Sequence, residues 1–228
     1  MKKSGIILGV ILFFISAAAK AQESKISFSL RGGLNISSVT GDDNPNEYFE
    51  KTSKKGFSAG FSFGFKANAH LLLLAECVYD QKGYNQKIFL NDNAGNTIGD
   101  ANSYTNLNYV SVPIIANIVF GTKHSIEFGF GVCNNILIDA STDNPISYSG
   151  MFPGSIDVKR NYELYELSAV ARLAGAITLA PSILLILEGR YQAGFLNINR
   201  GFSGNFAEKN NVAYFGTGLR IHFTKKKK

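Results

Sequence analysis

The sequence predicts an all-β fold, an eight-stranded antiparallel up-and-down transmembrane β-barrel with short turns at one end and long loops at the other. Three observations predict it. Apolar and polar residues alternate with a period of two through most of the 228 residues. Many alternating runs reach the ~9 to 11 residues that a tilted membrane strand needs. The connections between the runs are alternately long and short, which is typical of such barrels.

The clearest pair of strands is a hairpin near the middle of the first half. Apolar residues alternate with Ser, Gly, Lys and Asn over residues 57–69, and after His70 the chain turns back into a second alternating run over residues 71–82. Two such runs joined by a very short turn form a β-hairpin. The same pattern predicts a first strand over residues 25–37.

Five further runs complete the predicted count of eight strands. They cover residues 104–120, 125–136, 162–179, 183–195 and 213–223. Pro113 in the first of these cannot donate a ladder hydrogen bond, so we expect a bulge or weakened pairing there. Polar loops join alternate runs, at residues 40–55, 85–103, 139–160 and 199–211.

The N-terminus has the features of a secretory signal peptide. Two lysines precede an apolar run over residues 5–15, and Ala19 and Ala21 form an A-x-A cleavage site. A membrane anchor is the alternative, but the run falls short of the roughly 20 residues that a spanning helix needs. We therefore expect cleavage of residues 1–21 after Ala21, a β-barrel over residues 22–224 and a basic tail at residues 225–228.

The net charge of +6 does not indicate nucleic-acid binding. Seven of the 23 basic residues lie in the leader and the tail, so the rest of the chain, with its 17 acidic residues, is about neutral. An extended basic face is what a nucleic-acid-binding protein needs. We therefore expect no nucleic-acid partner.

Alternation alone does not decide which face points outward, and a soluble lipocalin-like barrel carries its apolar face inside. Here Gly, Ser and Ala separate the charged residues of the polar face, which suits a narrow lumen. Aromatic residues near the strand ends suit girdles at a membrane interface. They are Phe57, Phe120, Tyr165, Phe195 and Phe223. We therefore expect lipid outside, in the outer membrane of a Gram-negative bacterium, with short periplasmic turns and long extracellular loops.

Two short motifs stand out within the predicted strands. They are Glu76, Tyr79, Lys82 and Gly83 in an E-x-x-Y-x-x-K-G pattern, and Tyr109 and Pro113 in a Y-x-x-x-P pattern. With the eight-strand pattern, they resemble the PorT-like outer-membrane β-barrel family over essentially all of the mature chain. Ser111 stands where that family often has Glu. The resemblance implies the fold and little of the biology, since some members are tied to protein secretion and most have no assigned activity.

The polar face collects six cations and five anions that we expect to line the lumen. They could form an ion path or a self-neutralising plug. Buried charges must be paired, and eight strands leave room only for side chains, so the plug is favoured. These residues are Arg31, Lys66, Glu76, Asp80, Lys82, Glu127, Glu166, Arg172, Glu188, Arg190 and Arg220.

We expect no catalytic residue, no cofactor and no metal site. His70, His124 and His222 fall at the short-turn ends of strands, whereas an enzyme acting on outer-leaflet lipid needs a Ser–His pair at the substrate. The loop carboxylates lack the order of a calcium-binding loop. Cys77 and Cys133 lie on opposite faces of non-neighbouring strands, which predicts two free thiols.

The first functional hypothesis is a non-enzymatic outer-membrane barrel with a closed lumen, a scaffold or recognition component acting through its loops or periplasmic rim. A lipid-modifying enzyme and a small passive porin-like channel are the alternatives. The expected partners are outer-membrane lipid and either another envelope protein or an extracellular ligand. Aromatic residues in the loops are candidates for recognition, with loop self-packing or membrane contact as the alternative. They are Tyr48, Phe49, Phe89, Tyr148, Phe152, Phe202 and Phe206.

Overall fold

Nine antiparallel β-strands dominate a computed structural model that describes residues 25–41, 49–91, 97–144, 154–200 and 207–223. The strands are β1 (Lys25–Thr40), β2 (Phe49–Lys66), β3 (Leu71–Asn91), β4 (Thr97–Phe120), β5 (His124–Asn144), β6 (Gly154–Asp157), β7 (Tyr165–Ala180), β8 (Ile183–Gly194) and β9 (Lys209–Phe223). A 3₁₀ helix, Lys159–Asn161, precedes β7. Within these described ranges, no helix has the length and apolar character needed to cross a membrane.

Eight of the strands close into a ring. Each pairs with two neighbours, in the order β1, β2, β3, β4, β5, β7, β8, β9 and back to β1. The closing pair runs from Ile26 opposite Phe223 to Thr40 opposite Lys209. The predicted all-β antiparallel class is confirmed. The ring itself contains eight strands, and a ninth strand that was not predicted, β6, lies within the predicted loop 139–160 and pairs with the last residues of β5.

The predicted loops are too long because the strands continue into them. β3 and β4 pair as far as Asn91 opposite Thr97, inside the predicted loop 85–103. β2 already begins at Phe49, and β5 continues to Asn144. Polar residues on both faces hide these extensions from an argument based on alternation. The backbone ladders form there all the same.

Pro113 interrupts the pairing of β3 with β4 without shifting it. Ala75 pairs with Ile114 and Val78 with Ser111, and no pair joins the residues between them. The proline lacks the N–H that a ladder needs. Of the two expected outcomes, weakened pairing is the one observed.

The apolar face of the ring points outward, as predicted and opposite to a lipocalin. Leu34 and Phe130 are 68% and 73% exposed, and the five aromatic residues expected in girdles are all exposed. Outward apolar residues of β1 extend from Ile26 to Ile36. At about 3.3 Å per residue and a tilt of about 40°, this stretch makes a band roughly 25 Å tall. That height matches the apolar band of a membrane barrel.

Gly131 on β5 allows the backbone of β4 to approach closely. A Cβ at this position would lie 2.0 Å from the carbonyl oxygen of Ile114 and 2.8 Å from Cα of Ile115. Both are backbone atoms that cannot rotate aside. Gly131→Ala should therefore cost at least the ~1 to 3 kcal/mol of typical overpacking, measured as the temperature at which folded, fast-migrating protein disappears from gels. Gly175→Ala is the control, since nothing lies within 4 Å of its added Cβ. An equal loss of stability in both variants would contradict the close approach of the β4 backbone at Gly131.

Candidate functional site

Seven charged side chains form one continuous network across the middle of the ring. Six of the eight ring strands contribute to it. Alternate residues of each strand face the lumen, so charged side chains from different strands can meet there. Every one of the seven side chains is at most 6% exposed. They are Arg31 on β1, Glu76 on β3, Glu127 on β5, Arg172 on β7, Glu188 and Arg190 on β8, and Arg220 on β9.

Arg172 joins two carboxylates of this network. Its Nη1 lies 2.7 Å from Oε2 of Glu127, and its Nε lies 2.7 Å from Oε2 of Glu188. Nη1 also donates to Oδ1 of Asn117 at 2.8 Å. Both guanidinium Nη atoms of Arg220 donate to the same Glu127. Glu127 is therefore neutralised from two sides.

Arg190 forms a bidentate ion pair with Glu76. Nη1 lies 2.5 Å from Oε2 and Nη2 lies 2.8 Å from Oε1, a bidentate geometry that is among the stronger charged hydrogen bonds. Nη1 of Arg31 lies 3.0 Å from Glu76 and 3.0 Å from Glu188. The Tyr214 ring lies beneath the Arg31 and Arg190 guanidinium groups at 5.1 and 5.8 Å. Such pairing makes a buried charge layer tolerable.

A second charged group lies farther along the lumen from the short turns. Lys82 is fully buried, with Nζ 3.4 Å from Oε1 of Glu166, 3.1 Å from Oδ1 of Asn135 and 4.8 Å above the Tyr109 ring. Asp80 lies in the same region and accepts a 2.5 Å hydrogen bond from the Ser58 hydroxyl. Together, the charge network and this second group place ten of the eleven residues predicted for the lumen inside the ring.

Lys66 is the exception among the predicted lumen residues. It is the last residue of β2, half-buried, and the ion pairs of the described residues do not include it. Its position at the mouth of the ring explains the difference. Alternation gives the face of a strand but not how deep a residue lies.

The side chains of the charge network enclose a small cavity. A cavity of about 10 Å³ lies within the charge network, lined by Ser29, Arg31 and Glu188 among others. That volume holds about a single water molecule. Toward the short turns, a cluster of buried residues that includes Leu72, Leu74, Ile115 and Val119 packs on the lumen side of β3 and β4.

The connections on either side of the β7–β8 hairpin cover the other mouth of the ring. Tyr162 forms an isolated bridge with Asn199, and the Glu163 N–H donates to the Ile198 carbonyl at 2.8 Å. Tyr162 and Ile198 are buried with Leu107, Tyr109 and Leu137, and the Tyr162 hydroxyl lies 2.9 Å from that of Tyr84. We call residues 158–164 and 195–200 the lumen cap. Both segments lie at the borders of predicted loops, where the alternation of apolar and polar residues ends, so the sequence analysis did not predict the lumen cap.

Most of the aromatic residues proposed for recognition lie outside the part of the chain that the structure describes. These five are Tyr48, Tyr148, Phe152, Phe202 and Phe206. Phe49 and Phe89 lie in β2 and β3, so their assignment to loops is wrong because the strands extend farther than alternation indicated. The Lys87 ammonium lies 5.3 Å over the Phe89 ring.

His70, His124 and His222 all lie at the end of the ring that carries the short turns. Cys77 and Cys133 are free thiols, in agreement with the prediction. In the part of the chain that the structure describes, no group of three His, Cys, Asp or Glu side chains is placed to hold a metal ion. The predicted signal peptide and lysine tail lie outside that part.

A closed antiparallel ring with an apolar exterior and a charged, packed interior is the architecture of outer-membrane β-barrels. The chain belongs to the family described as outer membrane protein beta-barrel domain, whose model matches residues 20–200. None of the curated proteins matches the sequence. The narrower PorT-like resemblance goes beyond this family match.

Three solved structures with a similar shape are distant from this chain in sequence. Neisserial surface protein A is 14% identical with a TM-score of 0.48, over 86% of this chain and 97% of that one. OprG from Pseudomonas aeruginosa is 11% identical with a TM-score of 0.47, over 89% and 98%. Ail of Yersinia pestis, in complex with the heparin analogue sucrose octasulfate, is 14% identical with a TM-score of 0.42, over 88% and 100%. The family match carries the assignment.

Proposed function

We propose that this chain is a non-enzymatic outer-membrane β-barrel with a closed lumen, a rigid scaffold that presents its long-connection end to another envelope protein or an extracellular ligand. The observation that supports this proposal is the packing of side chains inside the ring. Ten buried charges, an apolar cluster and the lumen cap leave a cavity of about 10 Å³ in the charge network, too small for a continuous water column. Eight strands enclose an interior that side chains can fill.

A closed lumen predicts that the protein does not conduct ions. Purified, folded protein inserted into planar bilayers should give no stable single-channel steps, because ions would have to displace paired buried charges. Insertion is checked in parallel by recovering heat-modifiable protein from the same lipid. Reproducible steps of constant size would contradict the closed lumen and favour the passive channel.

The surface presented to a partner lies beyond the apolar band. β3 and β4 continue there as a paired ribbon over residues 81–91 and 97–108, with polar outward residues such as Asn106 and Asn108. Ile98 on this ribbon is 66% exposed. Exposed elements on a rigid frame are where binding residues concentrate. We therefore place recognition on this ribbon and the neighbouring connections.

The motifs that resemble the PorT-like family support a structural rather than a catalytic role. Glu76 lies in the charge network, Lys82 is buried beside Glu166, and Tyr109 lies beneath the Lys82 ammonium. Pro113 is buried in β4. The residues shared with that narrower family would therefore be ones that pack the lumen.

The proposed orientation rests on the predicted signal peptide and on the alternation of long and short connections. A peptide tag inserted in residues 92–96, between β3 and β4, should be labelled by antibody on intact Gram-negative cells, because long connections of such barrels face outward. A tag after Phe223 should be labelled only after the outer membrane is permeabilised. The reverse pattern would contradict the proposed orientation.

A further inference from the structure

The charge network holds one more cation than anion. Its arginines outnumber its glutamates, with Arg31, Arg172, Arg190 and Arg220 against Glu76, Glu127 and Glu188. The second charged group has the opposite excess, with Lys82 against Glu166 and Asp80. Over the described ranges, neither of its carboxylates forms an ion pair with an arginine of the network. Buried charges need a counterion beside them. The network therefore has a place for one further negative charge.

The small cavity in the network borders hydrogen-bond donors that lack an acceptor. Ser29, Arg31, Arg190 and Arg220 all line it. Nε of each of these arginines and Oγ of Ser29 are buried and have no hydrogen-bond partner within the part of the chain that the structure describes. The three arginine side chains are at most 6% exposed. Because an unpaired buried donor is costly, an acceptor in the cavity would stabilise the folded state.

The strand register brings these donors to one place. Ser29 on β1 pairs with Arg220 on β9, and Arg31 pairs with Gly218. Arg190 lies on β8, which pairs with β9 on its other side. Gly218 lines the cavity and has no side chain to fill it. The donors therefore come from three adjoining strands around a position that leaves space open.

Two carboxylates also border the cavity, and both are already neutralised. Glu76 pairs with Arg31 and Arg190, and Glu188 pairs with these two and with Arg172. Their charge therefore does not exclude an anion. A water molecule would have to place two protons of its own among guanidinium N–H groups, which only donate. A monatomic anion only accepts, so it matches the unpaired donors better.

We propose that the cavity binds a single monatomic anion such as chloride, which acts as a structural counterion of the charge network. Nε of Arg31, Arg190 and Arg220 and the Ser29 hydroxyl donate to it. A space of about 10 Å³ is too small for sulfate or phosphate. The inference rests on the closed lumen of the proposed function, because in a water-filled channel the same donors would be hydrated.

The first test compares the stability of the full-length folded protein in chloride and in gluconate at equal ionic strength. Gluconate is too large for the cavity. For a site that forms only in the folded state, chloride at about five times its dissociation constant favours folding about sixfold. The temperature at which the fast-migrating band disappears from chloride-free gels should then be roughly 2 to 4 °C higher in chloride, for a chain of this size.

Three variants show whether this chloride effect comes from the cavity. Arg220→Gln makes the network neutral and removes one donor, so it should abolish the difference between the two salts. Ser29→Ala should reduce the difference and should fold normally, because the lost hydroxyl has no partner among the described residues. Arg200→Gln is the matched control, since it removes an exposed arginine charge and should leave the difference unchanged. If Arg220→Gln does not fold, Ser29→Ala decides.

The second test locates the anion directly in crystals of the folded protein grown in a bromide salt. An anomalous difference peak should lie between Ser29, Arg31, Arg190 and Arg220. No chloride effect in the wild-type protein, an effect that survives Ser29→Ala and Arg220→Gln, or a cavity without anomalous signal would overturn the inference. Single-channel steps in bilayers would instead refute the closed lumen, so failure of the proposed function is recognised separately.

Discussion

Arg172→Leu should destabilise the folded barrel by on the order of 3 kcal/mol, the lower end of what breaking a buried ion pair costs. The substitution removes the partner of Glu127 and of Glu188, each at 2.7 Å, and the donor to Asn117. Both carboxylates retain an arginine, Glu127 through Arg220 and Glu188 through Arg190. That is why we expect the lower end of the range.

The loss of stability is measured as the temperature at which the fast-migrating folded band disappears from gels. Arg200→Leu is the matched control, since Arg200 pairs with Glu163 where the two side chains are 53% and 42% exposed. Exposed pairs contribute about 0 to 1 kcal/mol. An Arg172→Leu transition no lower than that of Arg200→Leu would mean that the Arg172 charge is solvated rather than buried.

The face of each charged residue could be predicted, and its partners could not. Alternation places Arg172 on the lumen side because every second residue of a strand shares a face. Arg172 lies 45 residues from Glu127 and 16 from Glu188 along the chain. Which carboxylates it meets depends on the stagger between strands and on the closing of β1 against β9. A sequence without pairing information does not give that stagger.

The extended strands and the lumen cap escaped prediction for a different reason. Past the apolar band water surrounds the outer face, so residues such as Asn85 or Asn106 need not alternate with apolar ones. The strand continues because the neighbouring backbone supplies hydrogen bonds. Tyr162 was predicted to begin a strand, whereas β7 begins at Tyr165, and Ile198 lies at the border of a predicted loop. Alternation therefore assigned neither residue to the lumen cap. Their burial follows from the arrangement of the whole ring.

Lys82→Met should be among the most damaging single substitutions, because it leaves the Glu166 carboxylate in a dry interior without its cation. Lys82 and Glu166 are each 1% exposed. Breaking such a pair typically costs about 3 to 5 kcal/mol. Glu166 would keep only neutral donors, including Asn210, whose Nδ2 lies 2.7 Å from its Oε2. Those amides solvate a charge less well than the water of the unfolded state does.

Glu166→Gln in the Lys82→Met background should recover more than half of that loss. The second substitution removes the uncompensated charge while keeping a carbonyl oxygen for the Asn210 amide, so the remaining cost is that of altered neutral contacts. The cycle of single and double variants, followed by the gel transition, should yield a coupling on the order of 1 to 3 kcal/mol. If the two losses simply add, the Lys82 and Glu166 side chains do not stabilise one another. Each would then be neutralised by water, and the lumen would not be closed at this level.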